Sequence, residues 1–141
     1  MKQAYATRPH MSHRTIMIID DVPDHRDILV RLLRAVGYRV LVTDPGEPAL
    51  TAARAEMPDL ILTALSLPGQ PTWETARLLR GQPNLERTPI LGATIYNTLL
   101  TWSRVRAIGC ADFVDKPYDF DDLLRRVAAL LPQASQTAFA A

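Results

Sequence analysis

At 141 residues the chain has the length of one domain, able to bury roughly two-thirds of its unfolded surface and to hold a core without a disulfide or metal staple. Hydrophobic residues make up 48% and charged residues 22%, which excludes a disordered chain. The net charge of +1 excludes a strong pull toward nucleic acid or an anionic membrane. The arginines scatter over several predicted helices as solvated faces and form no run. The single cysteine, Cys110, excludes an internal disulfide framework and suits a reducing cytoplasm; in its apolar turn it reads as packing rather than as a reactive thiol. No apolar run reaches the ~18–20 residues of a membrane span.

Residues 1–13 carry a basic residue with no hydrophobic stretch after it, so they do not form a secretory signal. They are a natural extension or an expression leader ending near His10-Met11, and they stand apart from the fold. Ile16 to Ile19 form a short continuous apolar run, as in a strand buried on both faces. Asp20 and Asp21 fall just past its carboxyl end. Pro23 suits a first helical turn, and Ile28, Leu29, Leu32, Leu33 and Val36 follow at three-and-four spacing until Gly37 stops the helix. A second strand spans 38–43, a turn follows, and a short Ala-rich helix runs from Pro48 to Ala55, ended by Met57-Pro58. The third strand, Leu60 to Ala64, is again wholly apolar apart from Thr63.

An amphipathic helix over 72–80 turns Trp73, Ala76, Leu78 and Leu79 inward. Pro89 to Thr94 make the fourth strand, a helix spans 98–108 and is closed by Gly109, and Phe113 to Asp115 make a short fifth strand. The last helix, 119–131, has Asp121 and Asp122 in its first turn and Arg125 and Arg126 later, an order that favours the macrodipole. Pro132 ends it, and residues 132–141 read as a flexible tail or a link to a further segment.

Strands alternating with helices through short loops argue for an α/β domain over residues 14–131, with a parallel sheet covered on both faces. Ligands of such sheets gather at the carboxyl ends of the strands. Asp20, Asp21, Ala64, Thr94 and Lys116 all lie there, with Asp21 to position 64 separated by 43 residues, 64 to Thr94 by 30, and Thr94 to Lys116 by 22.

These residues and intervals resemble the receiver domain of two-component response regulators. The resemblance implies a flavodoxin-like, CheY-like three-layer sandwich with a five-stranded parallel sheet in the order 2-1-3-4-5. In that family the acidic pair and an aspartate at the third strand's end bind Mg²⁺, and that aspartate takes the phosphoryl group. Here the acceptor position is Ala64, whose methyl group offers no nucleophilic oxygen. The family's metal site would draw on Asp20, Asp21 and the main-chain carbonyl of Ser66, and without a carboxylate at 64 it would hold Mg²⁺ weakly or not at all; otherwise Asp20 and Asp21 form salt bridges to Lys116. Thr63 points away from the pocket, and neither its hydroxyl nor that of Ser66 has an evident base.

Thr94 and Phe113 match the family's switch pair, although a strand-end hydroxyl and a core aromatic explain them equally. Lys116-Pro117 resembles its cis-peptide turn. Where the family reads Asp-Gly-x-Glu, this chain has Pro71-Thr72-Trp73-Glu74, a second departure that favours natural degeneracy over a single engineered change.

The resemblance thus implies a pseudo-receiver: not an enzyme, without aspartyl phosphate, acting in cytoplasmic phosphorelay signalling by protein–protein contact. The alternative is a competent receiver whose acceptor was engineered away or replaced by another nucleophile. Expected partners are a histidine kinase, an output domain or another signalling protein, with no nucleic acid and no membrane. Leu99, Trp102 and Arg106 are candidate contacts on a face formed by the fourth helix, fifth strand and fifth helix, through which a homodimer could also form. Core packing is the first explanation of Trp102, with interface second.

Overall fold

The computed structural model describes residues 14–95 and 101–131. Five strands and five helices alternate: β1 (Thr15–Ile19), α1 (Pro23–Ala35), β2 (Arg39–Thr43), α2 (Glu47–Glu56), β3 (Leu60–Ala64), α3 (Pro71–Arg80), β4 (Ile90–Thr94), α4 (Thr101–Ala107), β5 (Asp112–Asp115) and α5 (Phe120–Leu130). The strands make one parallel sheet in the order β2-β1-β3-β4-β5. This is the flavodoxin-like architecture, with its reversal of strand order between β1 and β3.

Alternation along the strands divides the core in two. Ile16, Ile18, Leu60, Leu62, Leu91 and Ala93 face Leu29 and Leu33 of α1 and Leu123 and Val127 of α5. Met17, Ile19, Ile61 and Ile90 face Ala49 and Ala53 of α2, Trp73, Ala76 and Leu79 of α3, and Val105 of α4. Side chains that leave water on both faces stabilise the sheet by about 1.5–3 kcal/mol each, which is why β1, β3 and β4 are buried throughout.

The helix ends follow from local chemistry. Pro occupies the first or second position of α1, α2 and α3, where the missing N–H costs nothing. Gly37 and Gly109 turn the chain at φ +101° after α1 and α4, a conformation glycine adopts freely. Asp119 caps α5 by accepting the Asp122 N–H at 3.1 Å. The α3 and α5 boundaries fall within a residue of those read from the sequence.

Several side-chain placements differ from the sequence reading. Leu78 is exposed, because the buried stripe of α3 runs through Thr72, Trp73, Thr75, Ala76 and Leu79 and leaves position 78 on its far side. Ile28 and Val36 likewise face solvent, so α1 buries a narrower stripe centred on Leu29 and Leu33. Arg80 is not a solvated face residue: its guanidinium donates to the carbonyls of Leu85 (3.1 Å), Glu86 (2.9 Å) and Thr88 (2.7 Å), tying the end of α3 to the loop before β4. Cys110 is buried, and loss of hydration pushes its thiol up to about 12 despite the nearby Arg80 charge, in keeping with a packing role.

Candidate site at the carboxyl ends of the strands

β1, β3 and β4 end within two residues of one another in register, so the residues that follow them meet. Ala64 pairs in register with Ala93 across β3 and β4, and Thr94 pairs with Asp115 across β4 and β5. Lys116 then enters the site from the turn after β5: its N–H donates to the Thr94 carbonyl at 3.0 Å, and the Lys116–Pro117 peptide is cis. Thr94 is buried.

The two adjacent aspartates have different fates. Asp20 is 1% exposed; its Oδ2 accepts from Lys116 Nζ at 2.9 Å and its Oδ1 accepts from the Val22 N–H at 2.9 Å. Lys116 is itself only 10% exposed, so each charge is compensated by the other in a site of restricted hydration. Asp21 projects to the surface and, among the described residues, carries no ion pair. The expected bridge to Lys116 therefore forms with Asp20 alone, because successive residues leaving a strand point to opposite sides.

One member of the cluster was not foreseen. His25, in the first turn of α1, places Nδ1 at 2.9 Å from Lys116 Nζ and 3.9 Å from Asp20 Oδ2. A neutral imidazole there accepts from the ammonium. The only sequence signal was its position half a turn into the helix that follows the acidic pair. Behind the cluster the Tyr118 hydroxyl is buried with no partner among the described residues, and burial, reinforced by the Asp20 charge, raises its pKa.

Beside Lys116 lies a cavity of about 210 Å³ lined by Asp21, Ala64, Leu65, Ser66, Gln70, Pro71, Thr72, Ile95 and Lys116. Its floor at position 64 is a methyl group. Leu65 turns away and packs so closely on Gly92 that a Cβ there would sit 2.4 Å from its Cδ1. Thr72 Oγ1 accepts the Ser66 N–H at 3.1 Å and lies 2.9 Å from Ser66 Oγ. Thr63 is buried on the opposite face, its hydroxyl bonded to the Ala64 carbonyl at 3.0 Å.

A hard divalent cation prefers several anionic oxygens converging at one point. Here Asp20 already holds Lys116, Asp21 is available, and Ala64 contributes nothing. Among the described residues no group of three His, Cys, Asp or Glu side chains converges for a metal.

The sequence over residues 16–128 matches the response regulator receiver domain. The chain belongs to that family. Its relatives include the CAI-1 autoinducer sensor kinase/phosphatase CqsS of Vibrio cholerae, 33% identical over 82% of this chain and 17% of that protein. The DNA-binding response regulator MtrA of Mycolicibacterium smegmatis is 34% identical over 82% of this chain and 50% of that protein. The chain thus spans half or less of these two relatives. A response regulator protein from Burkholderia multivorans, solved in solution, superposes with a TM-score of 0.68 at 32% identity, covering 83% of this chain and 94% of that one. The receiver identity, the 2-1-3-4-5 sheet and a role in two-component signalling follow. No helix among the described residues is long and apolar enough to cross a membrane.

An aromatic contact joins the edge strand β5 to α4. Phe113 of β5 stacks on Trp102 of α4 with ring centroids 5.7 Å apart and planes at 29°. The Arg106 guanidinium covers the indole at 5.6 Å. Trp102 is 37% exposed, so the expectation that it packs in the core is corrected: Val105 takes the buried position of α4 and leaves Trp102 on the rim, over Phe113. Leu99 lies outside the described residues.

Proposed function

We propose that this receiver is a pseudo-receiver, a module that signals in the cytoplasm by protein–protein contact without carrying an aspartyl phosphate. The observation that carries the reading is Ala64. It stands at the end of β3, on the floor of the strand-end cavity and in register with Ala93, where a receiver needs a carboxylate oxygen in line with the donor phosphorus. The neighbouring hydroxyls do not replace it: Ser66 and Thr72 bond to each other, and Thr63 faces the opposite side.

Lys116 is engaged at the same site, its ammonium held by Asp20 and His25. With one carboxylate fewer, the site would hold Mg²⁺ weakly through Asp20, Asp21 and the Ser66 carbonyl. Thr94 and Phe113 occupy the positions of a switch pair, and a ligand that discriminates between two states is needed to move such a pair. Without a phosphoryl group, the resting state is set by packing and by the partner.

The partner is a histidine kinase, an output domain or another signalling protein, meeting the face of α4, β5 and α5. Trp102 and Arg106 offer exposed aromatic and cationic contact there, residue types that concentrate binding energy at interfaces. Incubation of the protein with phosphoramidate and Mg²⁺, followed by intact mass spectrometry, tests the function. The unmodified mass is expected, and a stoichiometric phosphoryl adduct refutes the proposal.

A further inference from the structure

Ala64 is one of two obstacles at the strand ends. Thr72, in the first turn of α3, is 4% exposed, and its Oγ1 holds both the main-chain N–H and the hydroxyl of Ser66 at 3.1 and 2.9 Å. A hydroxyl oxygen has two lone pairs and one proton, so these contacts bind Ser66 firmly to its own loop. Both residues line the cavity that has Ala64 as its floor and Lys116 in its wall.

We propose that Thr72 is a second barrier to phosphoryl chemistry, a positioning residue that removes the Ser66 N–H from any anion seated over position 64. The proposal rests on the pseudo-receiver reading and extends it. A phosphoryl group in transfer spreads negative charge over three oxygens, and main-chain N–H groups stabilise such charge when they are aimed at it and free. Position 66 is two residues beyond the end of β3, so its N–H is the main-chain donor that the cavity wall supplies from this strand. In this chain it points at Thr72 Oγ1 instead. To serve an anion it must first break that bond, and the two polar atoms of Thr72 and Ser66 must find new partners inside a cavity of about 210 Å³. Restoring a carboxylate at 64 is then insufficient by itself.

The test compares Ala64→Asp alone, with Thr72→Ser and with Thr72→Val, all in the full chain. Serine keeps the hydroxyl, whereas valine keeps the shape and removes it. Each is incubated with phosphoramidate and Mg²⁺, the adduct is followed by intact mass, and melting temperatures are recorded. In the step measured, a carboxylate oxygen bonds to phosphorus as the P–N bond breaks, and the nitrogen leaves as ammonia with a proton from water. Ala64→Asp and its Thr72→Ser derivative are expected to react at the same slow rate, and the Thr72→Val derivative at least about tenfold faster, a fraction of the roughly hundredfold or more that one fully oriented oxyanion donor supplies. Equal rates across the three, including no adduct in any, overturn the proposal. Should the valine variant fail to fold, Thr72→Ala makes the same deletion and is judged by the same comparison. An adduct on the wild-type chain would refute the pseudo-receiver reading instead, so the two failures are distinguishable.

Discussion

Replacing Lys116 by alanine removes the cation that Asp20 was buried with. Breaking a buried pair by deleting one partner costs about 3–5 kcal/mol, and two features here moderate it. Asp20 keeps the Val22 N–H at 2.9 Å, and Lys116 is 10% exposed rather than wholly hidden. A loss of about 2–4 kcal/mol is therefore expected, read as a lower urea midpoint at unchanged m.

Asp20→Asn with Lys116→Ala closes a double-mutant cycle. The double variant should be less destabilised than the sum of the singles, because the uncompensated buried carboxylate is then absent. Removing the ammonium also leaves Asp20 and Asp21 as neighbouring anions. The stability of Lys116→Ala should consequently rise with Mg²⁺ by mass action, while the wild type responds less. A Lys116→Ala protein as stable as the wild type and indifferent to Mg²⁺ would refute this description of the pocket.

Further outcomes follow from other parts of the molecule. Cys110, with its thiol pushed up to about 12, should react with iodoacetamide at pH 8 at least about a hundredfold more slowly in the folded protein than in urea. Between its ordinary value of 9.0 and about 12 the unfolded chain releases a proton that the folded chain keeps, so this group makes stability fall as pH rises through that window; fast native alkylation would contradict it. Gly109→Ala should destabilise by about 1–3 kcal/mol in thermal or urea melts, since its φ is +101° and the added Cβ would lie 2.5 Å from Arg80 Cγ. A neutral result would contradict the backbone strain assigned to this turn. If α4, β5 and α5 form a self-association face, sedimentation should show concentration-dependent dimerisation that Trp102→Ala with Arg106→Ala abolishes, and a strict monomer would withdraw the homodimer.

What could be read from the sequence was whatever depends on periodicity or on order along the chain. The run Ile16–Ile19 announced a strand buried on both faces, and each of its side chains is fully buried. Proline and glycine marked helix ends because their backbone constraints are local. The intervals among Asp21, position 64, Thr94 and Lys116 located the strand-end cluster, since in a parallel sheet those ends share one edge.

What could not be read depends on contacts made only after folding. His25 reaches Lys116 across 91 residues, and no periodicity encodes that approach. The hydroxyl of Thr72 looked only like a missing glycine until its grip on Ser66 was seen. Asp20 and Asp21 are indistinguishable as a dipeptide, yet one is buried against an ammonium and the other is solvated. Arg80 and Trp102 are placed by contacts that only the packed structure defines: the carbonyls of Leu85, Glu86 and Thr88 draw in the guanidinium, and Phe113 seats the indole on the rim.

Whether position 64 takes part in phosphoryl chemistry is read most directly from the intact mass of the protein isolated from its own cells under conditions that activate its signalling pathway. The unmodified mass is expected, with or without stimulus. A phosphoryl adduct that maps to the strand-end pocket would contradict the account.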